Sequence, residues 1–528
     1  MKRISILLLL LLSLSSYAQD RYMVFFKDKD NTSYSVNQPE QYLSAKAIER
    51  RERQQISITT ADLPVNSNYI NTLESLGVET FFTTKWMNGV LVQMDEAQAA
   101  MVSALDFVAS TEWVAPGNPL RSVRSEKFGV QLSTVDNQAQ EQYGHLGIDV
   151  MHEYGIEGEG ISIAIMDDGF QNYSQLPAFE SVLDDNRLLL TYDFVGNRES
   201  VENGNNHGTR VFSILGADQE NYRGAAPLAA FMLFVTEANQ EYRIEEYNWL
   251  FAIEMADSAG VNLVNTSLGY RTGFTDPLMN YTDAQLNGET AVITRAANIA
   301  ASKGIVLVNS AGNSGSNALV SAPADSPFVI AVGAVNFEGE IASFSSRNSS
   351  TPNRFKPDVV ALGVGTLLVT AEGTLVSQNG TSFSSPLVAG LVAGVMQAYP
   401  NKTAEEITEM IRLSGDRAGT PDNTFGYGVP NFERIVARER AGISENPQVY
   451  NAFPNPTNDD IQLNFEEAYF GEKLTIEVIS SKGELKSREE YVPFEGKNPL
   501  KISLEESGLY FLRVVTSSHT ATRKIIKY

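Results

Sequence analysis

The chain has no cysteine in its 528 residues. Disulfide staples, thiolate zinc sites and cysteine nucleophiles are therefore excluded. Positive charge is in deficit, with 40 Lys and Arg against 64 Asp and Glu and a formal charge of −24. So acidic a molecule repels phosphate backbones, which excludes nucleic acid as a partner. Histidine is scarce as well: His145, His152, His207 and His519 are all there are. An imidazole base must be one of these four. Long apolar runs are also missing. The most apolar stretch, residues 4–14, is too short to cross ~30 Å of hydrocarbon. It follows Lys2 and Arg3 and precedes Ser16 and Ala18, the three-part pattern of a secretory signal cleaved after Ala18.

What is present reads as globular: 43% apolar residues and 39 glycines, with length for roughly three domains. Residues 19–115 predict a small α+β unit. Its strands are "YMVFF" and "NGVLVQM"; its helices lie in 42–55, 67–77 and 95–105. Residues 116–139 are polar, basic and Pro/Gly-bearing, a linker or processing region. From 140 to 438, apolar runs such as "ISIAIM", "FMLFV", "VNLVNTSLG", "GIVLVNSAGN" and "FVIAVGAV" alternate with helical segments. That texture predicts a parallel sheet covered by helices on both faces, an α/β architecture. In such folds chemistry sits at the carboxyl ends of the strands. A second linker, 439–452, leads into 453–528, whose alternating strands predict a small β-sandwich.

The stretch "NGTSFSSPLVAG" (379–390) holds Ser382 just before a helix-like run. Serine is a weak nucleophile unless a base and an orienting carboxylate reach it. His207 opens "HGTRVFSIL", a turn feeding a helix, whereas His145, His152 and His519 read as surface or satisfied histidines. Asp167 closes the run "ISIAIM", where a buried carboxylate can fix an imidazole tautomer. With Asp168 it equally reads as a polar turn or a cation-binding pair. Asn313 follows another buried run, where its amide can donate to an oxyanion or simply make a turn.

Singly these are weak signals, but Asp167, His207, Asn313 and Ser382 occur in the order Asp…His…Ser, the one found in subtilisin. The chain resembles a subtilisin-like serine protease. "AIMDDGF", "HGTRV" and "GTSFSSPLVAG" resemble that family's three catalytic motifs. "GAAPLA", "NTSLG", "SAGN", "SAPAD", "SFSS" and "KPDVVA" follow its further signatures in order across 140–438. The resemblance implies a secreted endopeptidase with Ser382 as nucleophile, His207 as base, Asp167 as its orienting partner and Asn313 in the oxyanion hole. It implies substrate pairing along Ser267, Leu268, Gly269, Ala311 and Gly312, and no cofactor for the chemistry. Structural calcium, common in such proteins, directs attention to the acidic "LDDN" at 183–186.

Two positions depart from the family pattern. Phe212 replaces a small residue after "HGTRV", so the helix carrying His207 is expected to pack differently. Asp168 stands beside Asp167, where a second carboxylate is expected to raise its pKa. Gly390 and Gly394 suit tight packing of a helix under the sheet, and residues 270–289 read as an insertion beside the substrate cleft.

Residues 19–115 resemble an inhibitory, chaperone-like propeptide. "FPNPTND", "GLYFLRV" and the terminal "RKIIKY" resemble the sorting domain of type IX secretion in Bacteroidetes. The expected partners are peptide substrates, the chain's own propeptide and that secretion machinery. The expected location is secreted, or on the outer-membrane surface reached through the periplasm. Two other classes stand beside this reading. A sedolisin-like acid peptidase would use a glutamate base, which His207 argues against. A non-catalytic binding module on the same scaffold would normally have lost one of the catalytic residues, and none is missing.

Overall fold

The computed structural model describes residues 19–117, 142–238, 240–352 and 354–440, and most of 450–527. The expected signal (1–18), nearly all of the 116–139 region, most of the second linker and His519 lie outside the described residues. The chain divides into two compact units, Met1–Glu433 and Arg434–Tyr528. No helix among the described residues is long and apolar enough to cross a membrane.

The N-terminal part of the first unit is a four-stranded antiparallel sheet of β1 (Asp20–Phe26), β2 (Glu79–Thr84), β3 (Gly89–Met94) and β4 (Val108–Ala115), in the order β2-β3-β1-β4. Three helices accompany it: α1 (Ala45–Arg53), α2 (Ser67–Ser75) and α3 (Glu96–Ser103). Their starts are written in the sequence. Ser44 accepts from the Ala47 N–H at α1, and Asp95 and Gln98 form a capping box at α3. Strand alternation sends side chains to two different cores. Val24, Val90 and Val92 pack with Leu73 and Val102 of this part's own helices. Met23, Leu91 and Val114 point the other way, into the large core of the central domain.

That domain is built on a seven-stranded parallel sheet: β5 (Ser162–Asp167), β6 (Leu188–Asp193), β7 (Ala230–Val235), β8 (Leu263–Thr266), β9 (Val306–Ser310), β10 (Val329–Val335) and β11 (Val359–Leu362). The order is β11-β10-β9-β8-β5-β7-β6. β5, β8, β9, β10 and β11 are buried at every residue, hence their continuous apolar runs. The edge strands β6 and β2 escape that reading because they are half-exposed and lack such a run. The main helices are α4 (Ile148–Glu153), α5 (His207–Gly216), α6 (Ile244–Ala259), α7 (Val292–Ser302) and α8 (Thr381–Ala398).

α8 is apolar around its whole circumference and buried from Thr381 to Met396, as befits a helix enclosed on all sides. It packs on β8 to β11 and on α5. Its glycines permit the tight packing expected of them, one against the Ala225 loop and one against Met151 of α4. A Cβ on Gly390 would lie 2.2 Å from Ala225 Cβ, and one on Gly394 2.0 Å from Met151 Sδ. Gly390→Ala is expected to destabilise the protein by about 1–3 kcal/mol and lower Tm by roughly 2–8 °C. An unchanged melting curve would show that the Ala225 loop yields freely.

Phe212 also finds its place. It stacks on Phe179 at 4.1 Å and meets Phe231 edge-on at 4.9 Å, leaving room only for glycine at 216.

The N-terminal part is joined to α6 by buried charge. Arg50 and Arg51, at the end of α1, are 1% exposed. Arg50 Nη2 lies 2.5 Å from Asp257 Oδ1, and Arg51 Nη2 2.9 Å and Lys85 Nζ 3.0 Å from Asp257 Oδ2. Arg50 also donates to the Val261 carbonyl past the end of α6 and to the Lys303 carbonyl just past the end of α7, places where the helix dipole favours a cation. Burial works against the Asp257 charge, yet Lys85, Arg50 and Arg51 hold its carboxyl down to about 2. Nearby, Glu254 accepts from the Lys85 and Trp86 N–H groups at 2.7 and 3.1 Å.

Among its described residues the second unit has seven strands. β14 (Tyr450–Phe453), β15 (Ile461–Phe465) and β18 (Leu500–Ile502) form one antiparallel sheet. β16 (Leu474–Ser480), β17 (Leu485–Tyr491), β19 (Gly508–Val515) and β20 (Thr520–Lys527) form another, in the order β17-β16-β19-β20. Inward residues of both sheets, including Ile461, Leu463, Ile476 and Leu512, share one core. β12 and β13 are the hairpin Thr366–Val369 and Leu375–Gln378 of the first unit.

Candidate active site

Asp167 is the last residue of β5 and is 1% exposed. His207 is the first residue of α5. The polar residues ahead of it shape the approach: Asn203 and Asn205 donate to the Asp168 carbonyl at 2.7 and 3.3 Å. Gly208 lets the helix start close onto the strand, since a Cβ there would sit 2.6 Å from the Gly169 carbonyl oxygen. His207 Nδ1 thereby comes 2.7 Å from Asp167 Oδ1. With the carboxylate accepting, Nδ1 carries the proton and Nε2 is the basic nitrogen.

Burial pushes the Asp167 carboxyl up and the His207 imidazole down. Asp168 acts opposite to expectation. Its backbone N–H donates to Asp167 Oδ1 at 2.9 Å and pulls that carboxyl back down. Desolvation, not the neighbouring acid, is what raises it.

Ser382 is the second residue of α8. Pro386 has no N–H for the Ser382 carbonyl four residues earlier. Ser267 Oγ donates to that carbonyl instead, at 2.9 Å. The Ser382 hydroxyl faces the Ser267 carbonyl at 3.4 Å. Ser385 Oγ donates to Asn265 Oδ1 at 2.9 Å, so the start of α8 is tied twice to the exit of β8. The His207 ring lies 5.8 Å from that of Phe383, next to Ser382.

Asn313 stands exposed beyond β9. Its Oδ1 accepts from the Thr381 N–H at 3.0 Å and from Thr381 Oγ1 at 2.9 Å. With the oxygen so anchored, the amide NH₂ is turned away from Thr381 as a fixed donor. Thr381 Oγ1 also accepts from the Gly312 N–H at 3.2 Å.

The edge residues divide. Ser267 is hydrogen-bonded to Ser382, Gly269 is exposed beyond β8, and Gly312 carries a positive φ of 105°. Leu268 is buried, with its carbonyl accepting from Asn309 Nδ2 at 3.1 Å. The Ala311 N–H donates to Val332 at 2.9 Å and its carbonyl accepts from Ser321 at 3.4 Å. Both polar groups of Ala311 are thus engaged within the protein.

The motifs alone did not single out Thr381, Asn203, Asn205 or Asn265. Their signal was position, immediately beside Ser382, ahead of His207 and at the end of "VNLVN". His152 Nε2 sits 3.1 Å from the Ala225 carbonyl oxygen, a satisfied histidine. At 183–186, Asp185 pairs with Arg187 at 3.3 Å. Among the described residues, the one group of three ligating side chains within reach of each other is Asp167, Asp168 and His207.

Residues 158–428, just over half of the chain, match the model of the subtilase family. The chain belongs to the subtilase family. Residues 21–128 of this subtilase match the peptidase S8 propeptide domain of Bacteroidota, and 451–528 a secretion system C-terminal sorting domain. It is 30% identical over 285 residues to subtilisin E of Bacillus subtilis (strain 168), covering 53% of this chain and 65% of that protein's length. It is equally 30% identical to the subtilisin of Bacillus pumilus, covering 90% of it. Its fold matches the epidermin leader peptide processing serine protease of Staphylococcus aureus, with a TM-score of 0.54 at 15% identity. That match covers 81% of this chain and 99% of the other.

Proposed function

We propose that this subtilase is an exported serine endopeptidase made as a proenzyme. The observation that carries the reading is the buried Asp167–His207 pair, 2.7 Å apart, against the start of the helix that bears Ser382. Ser382 Oγ attacks a peptide carbonyl as His207 Nε2 takes its proton, and Asp167 holds the ring and stabilises its cation. The tetrahedral oxyanion is met by the Asn313 amide and by the Ser382 N–H, at a helix N-terminus whose dipole favours negative charge. His207 then gives its proton to the leaving amine, and water releases the acyl group. No step calls for a cofactor.

Residues 19–115 serve as the chain's own inhibitor until cut within 116–139. The sorting domain directs export by type IX machinery through the periplasm to the cell surface or beyond. Peptides and proteins are the substrates.

Asn313→Ala is expected to lower kcat by about 10²–10³ with little change in KM, because the oxyanion exists only past the ground state. Steady-state kinetics on one peptide would check it, and a pure KM effect would remove Asn313 from the oxyanion hole. The whole reading is tested by fluorophosphonate labelling of the protein without its signal, beside Ser382→Ala, with intact mass followed in time. Labelling of the wild type alone and loss of an N-terminal fragment support it. A matured protein that takes no label would be a binding scaffold.

A further inference from the structure

The seam between the N-terminal sheet and the central domain has an apolar part and a charged part. In the apolar part, Met23, Trp86, Leu91 and Val114 share a core with Tyr247, Leu250 and Phe251 of α6. Such contact is non-directional and tolerates any apolar surface of about the right shape. The charged part is reciprocal. The N-terminal domain brings Arg50, Arg51 and Lys85 to Asp257. The central domain in turn brings Lys303 to Asp62, with Nζ 2.9 Å from Oδ1. Arg51 Nη2 joins the two halves, 2.9 Å from Asp257 Oδ2 and 3.2 Å from Asp62 Oδ1. All six residues are buried, none more than 8% exposed.

Two placements tie these charges to the meeting of the domains rather than to either domain alone. Asp257 lies in the last turn of α6, where the helix dipole disfavours an anion. Its stabilising partners all come from the other domain. On that side, Lys29 Nζ donates to the carbonyls of Thr60, Ala61, Leu63 and Lys85 at 3.1, 3.0, 2.7 and 2.6 Å. One ammonium thus fixes the segment carrying Asp62 against the turn carrying Lys85. The Thr59 N–H steadies Asp62 further, donating to its Oδ2 at 2.9 Å. The N-terminal domain therefore presents its charges as a set array.

On the proenzyme reading above, we propose that this cluster makes the N-terminal domain selective. It inhibits copies of its own chain and rejects an enzyme of the same fold with apolar side chains at positions 257 and 303. A buried ion cluster contributes about as much as apolar residues of the same volume, so it adds little net attraction. What it adds is a penalty against the wrong partner. Opposite an apolar residue at 257, Arg50, Arg51 and Lys85 would be desolvated without a counterion. Opposite an apolar residue at 303 the loss is smaller, because Asp62 keeps Arg51 and the Thr59 N–H. The partner is thus defined by a carboxylate in the last turn of α6, backed by an ammonium just past α7.

The test uses four full-length chains without the signal, each left to nick itself. They are the wild type, Asp257→Leu, the triple variant Arg50→Met, Arg51→Met and Lys85→Met, and the chain with all four changes. Activity on a chromogenic peptide during serial dilution gives the dissociation constant of the cut fragment. Each one-sided change is expected to raise it about 100-fold or more, and the combined chain to return within about 10-fold of wild type. Losses that add in the combined chain overturn the inference, because the charges would then supply attraction and no selectivity. Should a multiple variant fail to mature, the same cycle is measured at the second pair. There, Lys303→Met with Asp62→Asn is expected to bind no more weakly than the worse single change, and additive losses overturn the inference equally. Additive losses leave the protease reading intact, since every diluted chain still cuts the peptide. Chains that cut nothing at any dilution overturn both.

Discussion

Ser382→Ala is expected to lower kcat by about a million-fold, and His207→Ala by a similar factor, with the double variant no worse than either. That size is the one known for the equivalent unit in subtilisin, a relative of this chain. The reason is geometric. The serine gains nucleophilicity only as His207 takes its proton, and His207 is held for that by the 2.7 Å contact with Asp167. Either loss disables the pair, so the effects do not add. A residue of about 10³–10⁴ over water should remain from the Asn313 amide and substrate binding. Because Ser382→Ala cannot cut itself, it must be matured by wild-type enzyme before turnover of a chromogenic peptide is compared. A loss below about 100-fold would mean that another group is the nucleophile.

Asp257→Asn is expected to weaken binding of the N-terminal domain by roughly a hundred- to several-thousand-fold. Removing one side of a buried ion pair costs about 3–5 kcal/mol, because Arg50, Arg51 and Lys85 stay desolvated without their counterion. The inhibition constant of residues 19–117 added to mature enzyme measures this. A change under about 5-fold would show that water enters the cluster and solvates the three cations. The pH dependence has a definite sign. The Asp257 carboxyl is held at about 2 in the complex, below the ordinary aspartate range near 3.9. Its contribution is therefore complete above about 4 and lost as pH falls toward about 2. Acid should loosen the nicked complex over that interval.

The central fold was legible because parallel strands buried on both faces leave continuous apolar runs, as in β5, β9 and β10. β2 and β6 were not, since an edge strand exposes half its residues and its pattern dissolves into that of a loop. The four residues drawn from the motifs, Asp167, His207, Asn313 and Ser382, converge in space. What their neighbours do could not be read from spacing. That Thr381 fixes Asn313, or that Ser267 takes the carbonyl released by Pro386, depends on segments 68 and 115 residues apart meeting. The charge cluster was hidden for a related reason. "IERRERQQ" looks like a solvated helix, and only the tertiary contact with α6 shows that Arg50 and Arg51 are buried.

The seam between the N-terminal sheet and α6 has one more consequence. While the peptide chain is continuous, the two faces meet at the effective concentration of a short tether, on the order of millimolar. One cut between them changes no contact at the seam. It does change the governing quantity, from a fixed local concentration to whatever the surroundings supply. If the affinity of the seam falls between those two values, activity begins with dilution, and the enzyme would be quiet in a confined compartment and awake once it has diffused away from its detached partner.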